Sequence, residues 1–176
     1  GLVSEDPRAR TDLMEAAVSP ETQPEQLAVI ADRLGQFEAT AADSWLSIYA
    51  DSEQDPRRRF RAFVADVCQG PAKPEWKTHG QAMVGALVAE PISSVTSWLE
   101  LLQPANTELL PHFQNLFAAA HPTTEPTALA LGIVALSSSK ATATEFFLNG
   151  LDKWKTPEFQ AALSALMAYG CSDELA

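Results

Sequence analysis

Pro24-Glu25-Gln26-Leu27-Ala28-Val29-Ile30-Ala31-Asp32-Arg33-Leu34-Gly35 shows in one short stretch the unit from which the chain is built. Proline opens it, at a position where a missing N–H costs nothing because the first amides of a helix have no partner. Leu27, Ile30, Ala31 and Leu34 follow at i, i+3, i+4 and i+7, one apolar stripe of an α-helix. Gly35 stops it, since glycine accepts the left-handed backbone that ends many helices. The punctuation recurs. Pro7, Pro56, Pro74, Pro91, Pro126 and Pro157 each precede a helical pattern, and Pro7 to Pro24, Pro56 to Pro74 and Pro74 to Pro91 are intervals of 17 or 18 residues. Other intervals are about twice that, where a helix starts without proline. Each short interval holds one three-turn helix and a loop, and two make a period of about 34, the size of a helix-pair repeat.

Working outward, a first helix starts at Asp6-Pro7 with Asp6 as N-cap, buries Ala9, Leu13, Ala17 and Val18, and ends before Pro20. A third runs from about Ala39 to Ala50 over Trp45, Ile48 and Tyr49. The fourth follows Asp55-Pro56, with Phe60, Phe63, Val64 and Val67 inward and Gly70 behind. The fifth follows Pro74-Glu75 and carries Met83, Leu87 and Val88. The sixth follows Pro91, with Val95, Leu99 and Leu102 along one side and Trp98 near its edge. The seventh spans about Thr107 to Ala120 with Pro111 in its first turn and a wide face of Leu109, Leu110, Phe113, Leu116 and Phe117. After Pro126 the eighth is apolar all round from Ala128 to Leu136, the mark of a helix buried between neighbours. A ninth from about Thr142 to Leu151 and a tenth from Thr156-Pro157 to Tyr169 complete the series.

This is an all-α chain of about ten short antiparallel helices in five pairs, read as a HEAT-like α-α superhelix. An irregular helical bundle is the competing arrangement. No alternating strand pattern is present, and the Trp, Gly, Tyr and Pro signature of tetratricopeptide repeats is missing. Residues 1–176 form a single helical-repeat domain, and the Gly1-Leu2-Val3 start reads as the edge of a piece of a longer protein. Faint identity between pairs fits a solenoid, in which each unit need only pack on its neighbours. The net charge of −11 repels nucleic acid and anionic lipid. No apolar run reaches the roughly 20 residues a membrane span needs. Cys68 and Cys171 lack metal-type spacing and are too few for a disulfide framework, so a reducing, cytoplasmic setting is expected.

Motifs that carry chemistry are sparse. Ser137-Ser138-Ser139-Lys140 contains Ser-x-x-Lys, but it follows a helix instead of opening one, and the companion motifs of serine acyl-transferases are missing. His79, His112 and His121 lie on different elements, without the converging spacing of a zinc site. Asp51, Glu53 and Asp55 alternate like the start of a calcium loop, yet Pro56 and Ala62 stand where glycine and a bidentate glutamate are needed. No catalytic residue, cofactor or metal is therefore assigned. Two features point to binding. Arg57-Arg58-Arg59-Phe60-Arg61 is the one concentrated basic patch, able to grip an acidic partner or to pair with the acids nearby, Asp51, Glu53, Asp55 and Asp66. Trp76, beside Lys77 near a helix start, and Trp154, between Lys153 and Lys155, are the tryptophans expected at the surface. Arg57, Arg58, Arg61, Trp76 and Trp154 are the candidate partner-binding residues.

Glu90-Pro91, Trp98-Leu99-Glu100-Leu101-Leu102-Gln103-Pro104, Leu109-Leu110-Pro111-His112-Phe113 and Phe117, the helix from Ala128 to Leu136 and Phe159-Gln160 form a pattern across about half the chain. Asp12-Leu13-Met14 and Gln26-Leu27-Ala28-Val29 echo it near the N-terminus. The pattern resembles the repeat region of large bacterial serine/threonine kinases and formylglycine-generating-enzyme-type proteins. That resemblance implies a HEAT-like connector between functional domains. The chain has no glycine-rich loop, His-Arg-Asp or Asp-Phe-Gly, so the resemblance implies a non-catalytic module. The expectation is a helical-repeat domain that binds a protein partner or positions neighbouring domains in a signalling protein, with no nucleic acid and no membrane. The alternative is a small helical enzyme with a pocket using His112, His121 or Ser137.

Overall fold

Helices begin where proline or a capping side chain permits. The computed structural model describes residues 7–35, 41–119, 126–150 and 155–169. Its helices are α1 (Pro7–Val18), α2 (Pro24–Gly35), α3 (Ala41–Ala50), α4 (Pro56–Gln69), α5 (Pro74–Val88), α6 (Ile92–Leu101), α7 (Asn106–Ala119), α8 (Pro126–Leu136), α9 (Lys140–Gly150) and α10 (Thr156–Ala168). A 3-10 turn, Gln103–Ala105, leads into α7, and no strand occurs among the described residues. The chain is all-α.

Local chemistry explains the boundaries. Asp55 caps α4, its carboxylate accepting from the amides of Arg57 at 2.9 Å and Arg58 at 3.0 Å. Ser139 does the same for α9 by accepting from the Thr142 amide at 3.1 Å, so that helix starts two residues before the expected Thr142. The 3-10 turn lets α7 begin at Asn106, which leaves Pro111 inside the helix instead of in its first turn. Ala9, expected in the core, is exposed, and α1 buries only its last turn, Ala17 and Val18, completely.

Two helices organise the packing. α4 is buried without a break from Phe60 to Val67, and it packs on α1, α2, α3, α5 and α6. α8 buries Ala128 to Ala130 and Gly132 to Val134, and it packs on α6, α7 and α10. Even-numbered helices form a ladder, α2 on α4, α4 on α6, α6 on α8 and α8 on α10, while α5 packs on α7. α2 also reaches α6, bringing the first pair against the third. The core is one continuous cluster from Ala17 to Leu166. Edge-to-face aromatic pairs lock it: Phe60 on Trp98 at 5.3 Å, Tyr49 on Phe63 at 5.4 Å and Phe117 on Phe147 at 5.6 Å between ring centroids. Trp98, expected near an edge, is fully buried.

Candidate interaction surface

The arginines of α4 come from one helical turn, so consecutive residues point in different directions and reach four different neighbours. Arg58 reaches α1, its guanidinium 3.0 Å from the Glu15 carboxylate. Arg59 Nε donates to the Tyr49 carbonyl at 3.0 Å, satisfying an acceptor in the last turn of α3 that has no helical partner. Arg61 is the deepest, with a side chain 1% exposed. It forms a bidentate pair with Glu90 at 2.8 and 2.9 Å and donates to the carbonyls of Thr22 at 3.0 Å and Pro20 at 3.3 Å. Its guanidinium carbon lies 4.4 Å from the centre of the Trp98 ring. Fixed planar geometry, several donors and weak hydration suit arginine to such a place, where lysine would leave acceptors bare. Arg57 is the outlier, half exposed and 3.7 Å from Glu90.

The patch is thus a clasp that ties α4 to α1, the α1–α2 turn, α3 and the α5–α6 turn. Arg61 is not on the surface, which corrects its place among the partner-binding candidates. Its neighbours Phe60 and Phe63 belong to the core, and the buried Glu90 draws it inward. Three of the acids expected to pair with these arginines, Asp51, Asp55 and Asp66, make their hydrogen bonds with groups other than the guanidiniums. Asp51 accepts from the Glu53 amide at 3.0 Å and from Gln54, and the first of these bonds holds its carboxyl below the usual range.

Trp76 requires a second correction. It was expected at the surface beside a helix start, and it is fully buried. The cause is Asp66, a buried carboxylate on α4 that needs donors. It accepts from Trp76 Nε1 at 2.9 Å, Lys73 Nζ at 2.6 Å and the Tyr49 hydroxyl at 3.3 Å. The local signal is an aspartate inside Phe63-Val64-Ala65-Asp66-Val67, an acid on an apolar face that demands buried partners. Trp45 Nε1 similarly donates to Gln69 at 2.9 Å, and Gln69 donates onward to the Ala31 carbonyl. Trp154 and His121 lie outside the described residues.

Burial, followed by the charge of Asp66, pushes the Tyr49 phenol far above its ordinary 10.0, and burial also raises Tyr169. The folded chain therefore keeps these protons at a pH where the unfolded chain has released them. Their contribution is complete below pH 10 and declines as pH rises beyond it, for the fully buried Tyr49 by up to about 1.4 kcal/mol per pH unit. Urea titrations between about pH 9 and pH 11 should show this decline, and Tyr49→Phe should make it shallower. Equal slopes for both proteins would contradict the assignment.

The residues considered for chemistry are engaged separately. His112 Nε2 lies 2.9 Å from the Lys77 carbonyl and must carry the hydrogen there, because a carbonyl only accepts. The Ser137 hydroxyl donates to the Ile133 carbonyl at 2.6 Å. Among the described residues, no cluster of His, Cys, Asp and Glu has the geometry to hold a metal, and no helix is long and apolar enough to cross a membrane.

What sequence reasoning missed is at the ends. Phe159, Leu163 and Met167 stand one turn apart on α10 and are 47, 39 and 63% exposed. The opposite face of that helix buries Ala161, Ala162, Ala165 and Leu166. Val29 on α2 is 64% exposed beside a groove of about 670 Å³ between α1 and α2, lined by Ala16, Ser19, Thr22, Gln26 and Ile30. Ile92, the first residue of α6, is exposed too, and α6 packs on α2. Leu148 on α9 completes the set of large exposed apolar side chains among the described residues. Comparison with protein-family models, curated proteins and solved structures gives no match to this chain.

Proposed function

We propose that the chain is a non-catalytic helical module that docks a protein partner or positions neighbouring domains, with a HEAT-like stacking of its helix pairs. The observation that carries the reading is the distribution of exposed apolar side chains. Phe159, Leu163 and Met167 form an exposed stripe on α10, and Leu148 on α9, Val29 on α2 and Ile92 at the start of α6 are exposed as well. An exposed apolar stripe such as Phe159, Leu163 and Met167, one turn apart on a single helix face, marks a contact site. The ladder of even-numbered helices and the pairing of α5 with α7 support the stacked arrangement. A connector within a larger cytoplasmic signalling protein, as the sequence resemblance implies, is the setting that suits it. Of the described residues considered for binding, Arg57 is the most available, and it would serve at a rim, where an exposed charge contributes little affinity.

Two variants test this. Leu163→Glu with Met167→Glu alters the α10 face, while Arg57→Glu with Arg58→Glu alters the basic turn of α4. Both should keep the helical circular dichroism of the parent. Proteins retained by the immobilised parent should be lost at least tenfold with the first variant and remain within about threefold with the second, in keeping with anchor and rim behaviour. Equal retention by the first variant and the parent would overturn the reading.

A further inference from the structure

Pro111 lies inside α7, and a proline has no N–H to give to the carbonyl four residues before it. That carbonyl belongs to Thr107. Thr107 and Pro111 both line a pocket of about 220 Å³ between α7 and the end of α8, with Leu110, Gln114, Leu136 and Ser138 as its other main walls. We propose that this pocket receives the side chain of a lysine from the docked partner. The inference rests on the docking role proposed above and names the chemistry of one partner residue.

Three observations select a lysine. The first is size. Drug-sized ligands fill roughly 300–1,000 Å³, so this smaller pocket suits a single side chain. Leu110, Pro111 and Leu136 give apolar cover for a four-carbon stem, which lysine lays along such surfaces while its charge stays near water. The second is the polarity of the remaining wall. The Thr107 carbonyl only accepts, and Gln114 and Ser138 add side-chain oxygens that accept as well. The Asn106 side-chain oxygen, which takes the Thr107 hydroxyl at 3.1 Å, keeps a second lone pair beside them. An ammonium has three donors and no acceptor, the complement of such a set, whereas the planar fork of arginine suits a carboxylate. The third is charge. The last four carbonyls of a helix are its negative end. In α8 Ser137 and Gln103 meet those of Ile133 and Ala135, and Leu136, which carries another of the four, lines the pocket. Neither α7 nor α8 contains a lysine or arginine. Glu108 adjoins Thr107, and Lys140, the basic residue nearest in sequence, is not in the lining. The net charge of −11 draws a cationic partner towards the chain.

The probe is a blocked tripeptide, acetyl-Ala-Lys-Ala-amide, added to the isotope-labelled chain and followed by amide NMR shifts. Shifts centred on Thr107, Gln114 and Ser138 should saturate at about millimolar peptide, as one side-chain contact allows. The same peptide with norleucine or acetyl-lysine in place of lysine should bind about tenfold more weakly, because each keeps the stem and loses the charge. Added salt should weaken the lysine peptide in the same direction. Pro111→Ala supplies an amide for the Thr107 carbonyl, and Ser138→Lys places a cation at the mouth of the pocket. Both positions are exposed, so folding is retained and checked by circular dichroism. Each variant should lower the affinity for the lysine peptide about fivefold or more. Absence of shifts at these residues up to about 50 mM peptide overturns the proposal. Equal binding of the norleucine or acetyl-lysine peptide also overturns it, since the pocket would then be an apolar slot. Unchanged affinity in either variant does the same. If the lysine peptide fails to bind while partner retention still depends on Leu163 and Met167, the docking role stands and only the lysine pocket is excluded.

Discussion

Arg61→Met is expected to lower the unfolding free energy by about 3–5 kcal/mol, the cost of leaving one member of a buried ion pair without its partner. The stranded group is Glu90, whose side chain is 5% exposed and which loses both short contacts to the guanidinium. Arg57, at 3.7 Å and half exposed, is a poor substitute. The Thr22 and Pro20 carbonyls lose their donor in the same substitution, so the α1–α2 turn loosens from α4. Glu90→Leu should be comparably destabilising because it strands the guanidinium. The double variant removes both charges and should be markedly more stable than the sum of the single losses predicts. Urea unfolding of the four proteins closes this cycle. Additive losses would show that Arg61 and Glu90 do not act as a pair.

The second large effect belongs to a hydrogen atom. Gly132 is buried on α8 facing Phe113 of α7, and a Cβ there would lie 2.1 Å from Cε1 and 2.3 Å from Cδ1 of the ring. Phe113 is itself fully buried, so its ring has no solvent-facing direction in which to move. Gly132→Ala should therefore cost about 3 kcal/mol, despite the gain of about 1 kcal/mol in helix propensity. Gly80→Ala provides the control. Its added Cβ meets the half-exposed His112 ring at 2.4 Å, and that side chain can swing outward with the loss of its bond to the Lys77 carbonyl. The expected cost is smaller, about 1 kcal/mol. Thermal melts rank the two variants, and a Gly80→Ala loss equal to that of Gly132→Ala would contradict the close α7–α8 contact.

Helix starts were legible because they depend on a few adjacent residues. Pro24, Pro56, Pro74 and Pro126 are the first residues of their helices, and Pro157 is the second of α10. Of the apolar stripe of α2, Leu27, Ala31 and Leu34 are buried and Ile30 is partly buried. The destinations of the polar side chains were not legible. Arg61 finds Glu90 across 29 residues and Arg58 finds Glu15 across 43, distances over which local periodicity carries no information. Nearby acids were the wrong partners for that reason. Trp76 was misread because closeness to a helix start says nothing about which way a ring points, and Asp66 decides that. The outer stripe of α10 was visible as apolar letters, but an amphipathic pattern does not reveal which of two apolar faces stays exposed. His112 and Ser137, read as possible members of a pocket, are bonded to backbone carbonyls on different elements.

Arg61 and the tryptophans Trp45, Trp76 and Trp98 face inward, while the apolar side chains Val29 on α2 and Phe159, Leu163 and Met167 on α10 stand open. Carbene footprinting of the folded chain at the lowest workable concentration tests this residue by residue. Strong labelling of Val29, Phe159, Leu163 and Met167, with Trp45, Trp76 and Trp98 at background, is the result the account predicts. Labelled Trp76 and Trp98 beside a protected α10 would contradict it.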